Sequence, residues 1–168
     1  MITDLVQIRT LGEKKREENF RFRAFMKSRS PTDRILRRIA EGIQEQIDCT
    51  ACANCCKTST VEVSGRDIER IPAHLGMSRE QFLADYTMRD EEGALSLRFT
   101  PEAGCVFLEG TTCRIYEARP ALCRSYPHLV RGHGSIASRM WSFVDRAAVC
   151  PIVYNSLEAF KDELRFRR

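Results

Sequence analysis

Four cysteines within eight positions, Cys49, Cys52, Cys55 and Cys56, constrain this chain more than any other feature. In a C-x2-C spacing a tight turn directs two sulfurs at one ion. Adjacent and near-adjacent cysteines also make poor disulfide partners, because bridge geometry is demanding. The run therefore reads as a set of thiolate ligands. Four further cysteines, Cys105, Cys113, Cys123 and Cys150, bring the total to eight in 168 residues.

The redox compartment decides how those thiols are read. Residues 1–11 are mixed and lead into the charged stretch Glu13 to Glu18, without the apolar segment and small-residue cleavage site of a signal peptide. No apolar run approaches the roughly 20 residues needed to span a bilayer. The expected address is cytoplasmic, where thiols stay reduced and a tight cluster binds metal. The chain is 43% hydrophobic and 30% charged, which excludes a disordered protein and predicts one globular domain with a real core. Its net charge of +4 is concentrated at Arg34, Arg37 and Arg38 and at Arg165, Arg167 and Arg168. So modest an excess is weak electrostatic evidence for a nucleic-acid partner, and a solvated helix face is the favoured reading.

Hydrophobic spacing predicts the framework. Residues 1–28 favour helix, with Phe22, Phe25 and Met26 on one face. Ser30 and Pro31 suit the cap and first position of a second helix carrying Ile35, Leu36, Ile39, Ile43 and Ile47 into Cys49. Residues 58–63 alternate and read as a strand. Ser64 caps a short helix that Pro72 ends, and Ser78 with Gln81 forms a capping box for another, with Phe82 and Leu83 inward. Residues 95–100 alternate again, and Cys105 to Leu108 and Cys113 to Tyr116 read as a hairpin about Glu109-Gly110. Pro120 opens a helical turn carrying Cys123, whose thiol is expected to have a lowered pKa there. Residues 128–138 read as loop, and Ser156 as the cap of a last helix with Leu157, Phe160 and Leu164.

The spacing of the eight thiols admits two four-ligand sites, one larger cluster, or a set in which some cysteines are not ligands. No second C-x2-C knuckle is present, which excludes an ordinary zinc ribbon. The radical-SAM C-x3-C-x2-C spacing is also absent. Cys49-x2-Cys52-x2-Cys55 with a remote Cys150-Pro151 is similar to bacterial ferredoxin ligation. Arg114, Arg119 and Arg124 each lie within four residues of a cysteine and are candidate donors to sulfur. His128 and His133 are candidate replacements for a thiolate. Walker, H-E-x-x-H, G-x-S-x-G and Rossmann patterns are missing, so no catalytic residue is named.

Cys49 to Cys56, Cys105-Val106-Phe107-Leu108, the stretch from Cys113 to Pro127 and Cys150-Pro151 together resemble the YkgJ-like cysteine-cluster (CxxCxxCC) family. The resemblance spans roughly residues 48–152 and includes all eight cysteines. It implies chelation of zinc or iron, or an Fe–S cluster, with Cys49, Cys52, Cys55, Cys56, Cys105, Cys113, Cys123 and Cys150 as the metal ligands. The expectation is an α+β fold, mainly helical, with short strands and a hairpin, stapled by cysteine-bound metal. Its single domain comprises an N-terminal helical arm (1–47), a metal-binding core (48–152) and a C-terminal helix (153–168). The leading reading is a metal-chelating protein. An Fe–S protein with a redox or protein-modifying role is the alternative, and a metal-stabilised nucleic-acid or protein adaptor is third.

Overall fold

The computed structural model describes residues 1–29, 31, 33–90 and 93–167. In chain order the elements begin with helices α1 (Leu5–Lys14), α2 (Arg16–Arg29), α3 (Asp33–Gln44), α4 (Cys49–Cys52), α5 (Asn54–Thr58), α6 (Gly65–Leu75) and α7 (Arg79–Tyr86). Six short strands follow: β1 (Thr87–Arg89), β2 (Leu95–Leu97), β3 (Phe99–Thr100), β4 (Gly104–Cys105), β5 (Leu108–Glu109) and β6 (Thr112–Cys113). A 3-10 turn (Tyr116–Ala118) then leads to α8 (Ala121–Ser125), α9 (Ile136–Arg146) and α10 (Pro151–Glu163). The chain is thus mainly helical, with strands confined to antiparallel pairs β1–β2, β3–β4 and β5–β6.

Two compact units divide the chain. Residues 1–48 and 127–168 form a helical unit, in which α2 packs on α9 and α3 on α10. Its core holds Phe22, Met26, Leu36, Met140, Phe143, Leu157 and Phe160, all with no exposed surface. Burying each such side chain contributes about 2 kcal/mol, which a short helix needs because helix nucleation is costly. Gly12 permits the closest approach, since a Cβ there would lie 2.4 Å from Cα of Ala148.

Residues 49–126 form the second unit, which holds seven of the eight cysteines. Its small core joins Ile71 of α6, Phe82 of α7, Leu97 of β2, Phe107 and Ile115. The rings of Phe82, Tyr86 and Phe107 stack in series at 6.1 and 4.9 Å. The unit's two-residue strands and one-turn helices are too short to be stable alone, so packing must hold them.

Phe22 and Met26 face the core as their spacing predicts, and Ser64, Ser78 and Gln81 cap as expected. Other elements differ from the sequence expectation. Ser30 lies outside the described residues, and α3 starts at Asp33 rather than Pro31. Its deepest residues are Leu36 and Ala40; the isoleucine stripe is only half-buried along most of its length. Residues 58–63 are not a strand: Thr58 closes α5, and the rest is extended with a single bridge between Glu62 and Ser96. Helix α6 runs through Pro72 to Leu75, because the buried face of Ile71 and Pro72 outweighs one lost backbone bond; Gly76 ends it with φ +67°.

The strand expected over 95–100 breaks at Arg98. Cys105 pairs with Phe99 of β3, while the hairpin itself is reduced to Leu108–Glu109 against Thr112–Cys113. The loop after His128 ends at Ser135, which caps α9 through the Ser138 amide at 3.1 Å. The last helix begins at Pro151, where proline's missing N–H costs nothing, and Ser156 is buried within it rather than capping it.

Candidate metal centre

The thiols of the second unit arrive on five short elements. Helix α4 carries Cys49 and Cys52, α5 carries Cys55 and Cys56, β4 ends on Cys105, β6 on Cys113, and α8 bears Cys123. Packing then pairs these elements: α5 lies against β4, and α4 against β6. Ala53 makes the turn between α4 and α5 in the left-handed region, at φ +49°, which aims the two halves of the cysteine run differently. Gly104 (φ +76°) lets β4 approach α5 closely, because a Cβ there would lie 2.7 Å from the Cys56 carbonyl oxygen.

No disulfide joins any two of the eight cysteines among the described residues. Cys56, Cys105, Cys113 and Cys123 lie within one another's electrostatic field. A hydrogen bond with Cys55 holds the Cys56 thiol down to about 7, against the opposing effect of burial and with help from the Lys57 charge. Burial pushes Cys105 up to about 11, and the charges of Cys56 and Cys113 add to that. Burial also raises Cys113, with Cys56 again contributing and Arg119 offsetting. Cys123 is pushed up to about 12 by burial, then by Cys56, Cys105 and Cys113. The expectation that its helical turn lowers this pKa is therefore corrected. Helix α8 has only five residues, and the dipole of a single turn is outweighed by desolvation and three neighbouring sulfurs.

One local pattern recurs. The Cys105 sulfur accepts from the backbone amide of Phe107, and the Cys113 sulfur from that of Ile115. Each bond runs from a residue two positions on, and each favours the ionised thiol. Of the arginines expected beside the cysteines, Arg119 is placed there: its charge acts on both Cys113 and Cys123. Its guanidinium lies 3.7 Å from the centre of the Tyr116 ring, which orients it. Arg114 is 3.8 Å from Glu109 and stacks over Phe107, and Arg124 donates to the Arg119 carbonyl at 3.2 Å.

Cys150 belongs to the helical unit, buried at the start of α10. His128 and His133 belong to that unit too. His128 adopts φ +66°, and burial with the charges of Arg146 and Arg139 holds its pKa below the ordinary value. His133 is exposed, and its carbonyl accepts from Arg139 at 3.0 Å.

The donor set fits a thiophilic cation. Burial and neighbouring sulfurs disfavour ionisation of Cys105, Cys113 and Cys123, a cost that a bound cation would relieve, and amides already face two of these sulfurs. Among the described residues, no group of three or more Cys, His, Asp or Glu side chains is arranged to hold a metal ion.

Fold and thiols together define a small, mainly helical cysteine-rich protein whose second unit carries seven of the eight sulfurs. The chain belongs to the CxxCxxCC family: a profile described as "Putative zinc- or iron-chelating domain" matches residues 48–151. It is also 31% identical over 85 residues to the "Uncharacterized protein MJ0661" of Methanocaldococcus jannaschii. That match covers 49% of this chain and 45% of the archaeal protein, so the chain spans less than half of that relative's length. No solved structure matches the chain. None of the described helices is long and apolar enough to cross a membrane.

Proposed function

We propose that this chain binds zinc or iron through the thiolates of residues 49–126, and that the metal holds that unit together. The observation that carries the reading is the packing of α5 on β4 and of α4 on β6, which puts thiols distant in sequence on adjoining elements, with Cys123 in the field of Cys56, 67 residues away, and of Cys105 and Cys113. Cys49, Cys52 and Cys55 extend the donor set on the adjoining one-turn helices. Cys150 enters the proposed set through the family match, which includes it. Bound metal would supply cross-linking of elements too short to persist alone, so metal affinity would count as folding free energy. The residues of the chain do the rest: Phe107 and Ile115 orient sulfurs through their amides, and Arg119 offsets part of the negative charge.

The charge distribution supports this reading over a nucleic-acid adaptor. Residues 49–126 carry 9 basic and 11 acidic side chains, whereas the helical unit carries 18 and 12. The thiol-bearing surface thus lacks the basic excess that a phosphate backbone requires.

An Fe–S cluster on Cys49, Cys52 and Cys55 is the second reading, favoured by their C-x2-C-x2-C spacing. Anaerobic purification followed by metal analysis and absorption spectroscopy separates the two. Stoichiometric zinc or iron without visible sulfide-to-iron bands supports simple chelation; brown protein with acid-labile sulfide supports the cluster. Protein that binds neither, and keeps a cooperative unfolding transition for residues 49–126 after chelator treatment, overturns both.

A further inference from the structure

Asp67 sits at the start of α6, 56 residues before Cys123, with 2% of its side chain exposed. Its two carboxylate oxygens have different tasks. Oδ2 accepts from the amide and hydroxyl of Ser64 at 3.0 and 2.6 Å, closing the capping box of α6. Oδ1 is turned to another element: it accepts the amide of Ala121, the first residue of α8, at 3.2 Å. The same Oδ1 accepts from Nη2 of Arg70 at 2.7 Å. That guanidinium nitrogen in turn donates to the Arg119 carbonyl at 2.8 Å and reaches the Ala118 carbonyl at 3.4 Å.

The pair therefore grips residues 118–121 by two carbonyls and one amide, immediately before Cys123. Helix α8 is five residues long, and Pro120 at its cap offers no side-chain hydrogen bond. Without an external anchor, so short a turn would fray. We infer that Asp67 and Arg70 are positioning residues for the thiol cluster, fixing the turn that presents Cys123 toward Cys56, Cys105 and Cys113. Their interest for metal rests on the proposed chelation; the anchoring itself does not.

The chemistry makes the inference sharp. A carboxylate has two acceptor oxygens and can serve α6 and α8 together, whereas an Asn amide has one and must abandon one of them. Arg70 makes all these contacts through one terminal nitrogen, Nη2, and a lysine, one bond shorter, falls short of bringing its ammonium to Asp67 and the two carbonyls together. Ser64→Ala removes the hydroxyl of the α6 cap and leaves the Oδ1 face intact.

The test uses the full chain with Asp67→Asn, Arg70→Lys and Ser64→Ala. One readout is the alkylation rate of each cysteine in metal-free protein, mapped by mass spectrometry. The other is the thiolate-to-cobalt charge-transfer band on titration with Co²⁺. Asp67→Asn and Arg70→Lys should accelerate alkylation of Cys123 selectively over Cys105 and weaken Co²⁺ binding about tenfold, as loss of groups that orient ligands does. Ser64→Ala should change neither. Unchanged Cys123 rates in Arg70→Lys, or the same acceleration in Ser64→Ala, would overturn the inference, the second by assigning the effect to α6 stability. Arg70→Lys carries the test should Asp67→Asn fail to fold. A wild-type protein without a cobalt band would count against chelation, while the alkylation rates would still decide the role of Asp67 and Arg70.

Discussion

Lys161, with no exposed side-chain surface, donates to Glu18 at 2.6 Å and to Glu158 at the same distance. Glu158 also receives Lys15, so helices α2 and α10 and the α1–α2 junction share one charge network. A buried ammonium is tolerated only when its partners are in place, and its removal deletes two charge-assisted hydrogen bonds from the interior of the unit. Lys161→Met should therefore destabilise the helical unit by about 3 kcal/mol, read as a lower urea midpoint. An unchanged midpoint would mean that the pair contributes nothing to stability.

The same network makes stability depend on pH. Burial alone would raise the pKa of Glu158, but the hydrogen bonds from Lys15 and Lys161, with their charges, hold it below its ordinary 4.5. A depressed carboxylate stabilises the folded state fully above its unfolded pKa, and that contribution is lost as pH falls through the folded value. For Lys15, burial opposes the charge, yet the bond with Glu158 raises the net pKa above 10.5. Its contribution is present below 10.5 and lost as pH rises past the raised value. Thermal midpoints followed against pH should fall below about pH 4.5, and Glu158→Gln should flatten that acid limb.

Gly104→Ala tests the approach of β4 to α5. Both the positive φ and the 2.7 Å gap to the Cys56 carbonyl oppose a side chain. The substitution should cost about 2–3 kcal/mol and loosen the link between Cys56 and Cys105. Gly110→Ala is the control, since its φ is also positive but its Cβ meets nothing within 4 Å. Equal losses in the two variants, by chemical denaturation, would assign the whole effect to backbone strain.

Thiol reactivity should follow the electrostatics of the cluster. In metal-free protein at neutral pH, Cys56 is the readily ionised thiol, held down to about 7, while burial keeps Cys105 and Cys123 neutral. Limited iodoacetamide treatment should label Cys56 before either of them. Cys55→Ala should slow that labelling, because the hydrogen bond with Cys55 is the largest cause of the lowered Cys56 value. Earlier labelling of Cys123 would contradict the arrangement.

Much of the framework was legible in local signals. The Ser64 cap, the capping box at Ser78, the Phe22 and Met26 face, and the Pro120 turn all depend on residues close in sequence. The errors arose where a distant partner decides. Residues 58–63 alternate like a strand, yet the backbone of Thr58 joins α5 and only Glu62 finds a bridge. Ser156 resembles a cap, but Pro151 starts that helix a turn earlier. Helix α9 did carry a signal, Met140, Phe143, Val144 and Ala147 at helical spacing, that the sequence analysis left unassigned. Asp67 and Arg70 had none, because a lone acid and a base three residues on look like an ordinary surface pair.

By itself, the sequence determined which atoms are available for chemistry: eight sulfurs, four of them in the C-x2-C-x2-C-C run, and membership of the CxxCxxCC family. Tertiary structure alone decided which sulfurs share a field, because Cys56, Cys105 and Cys123 are joined by packing across many residues. It also decided their ionisation. Burial raises Cys105 and Cys123 and overrides the helix-end effect expected from the local sequence. Spacing names the donors, but desolvation and neighbouring charge exist only once the chain has folded.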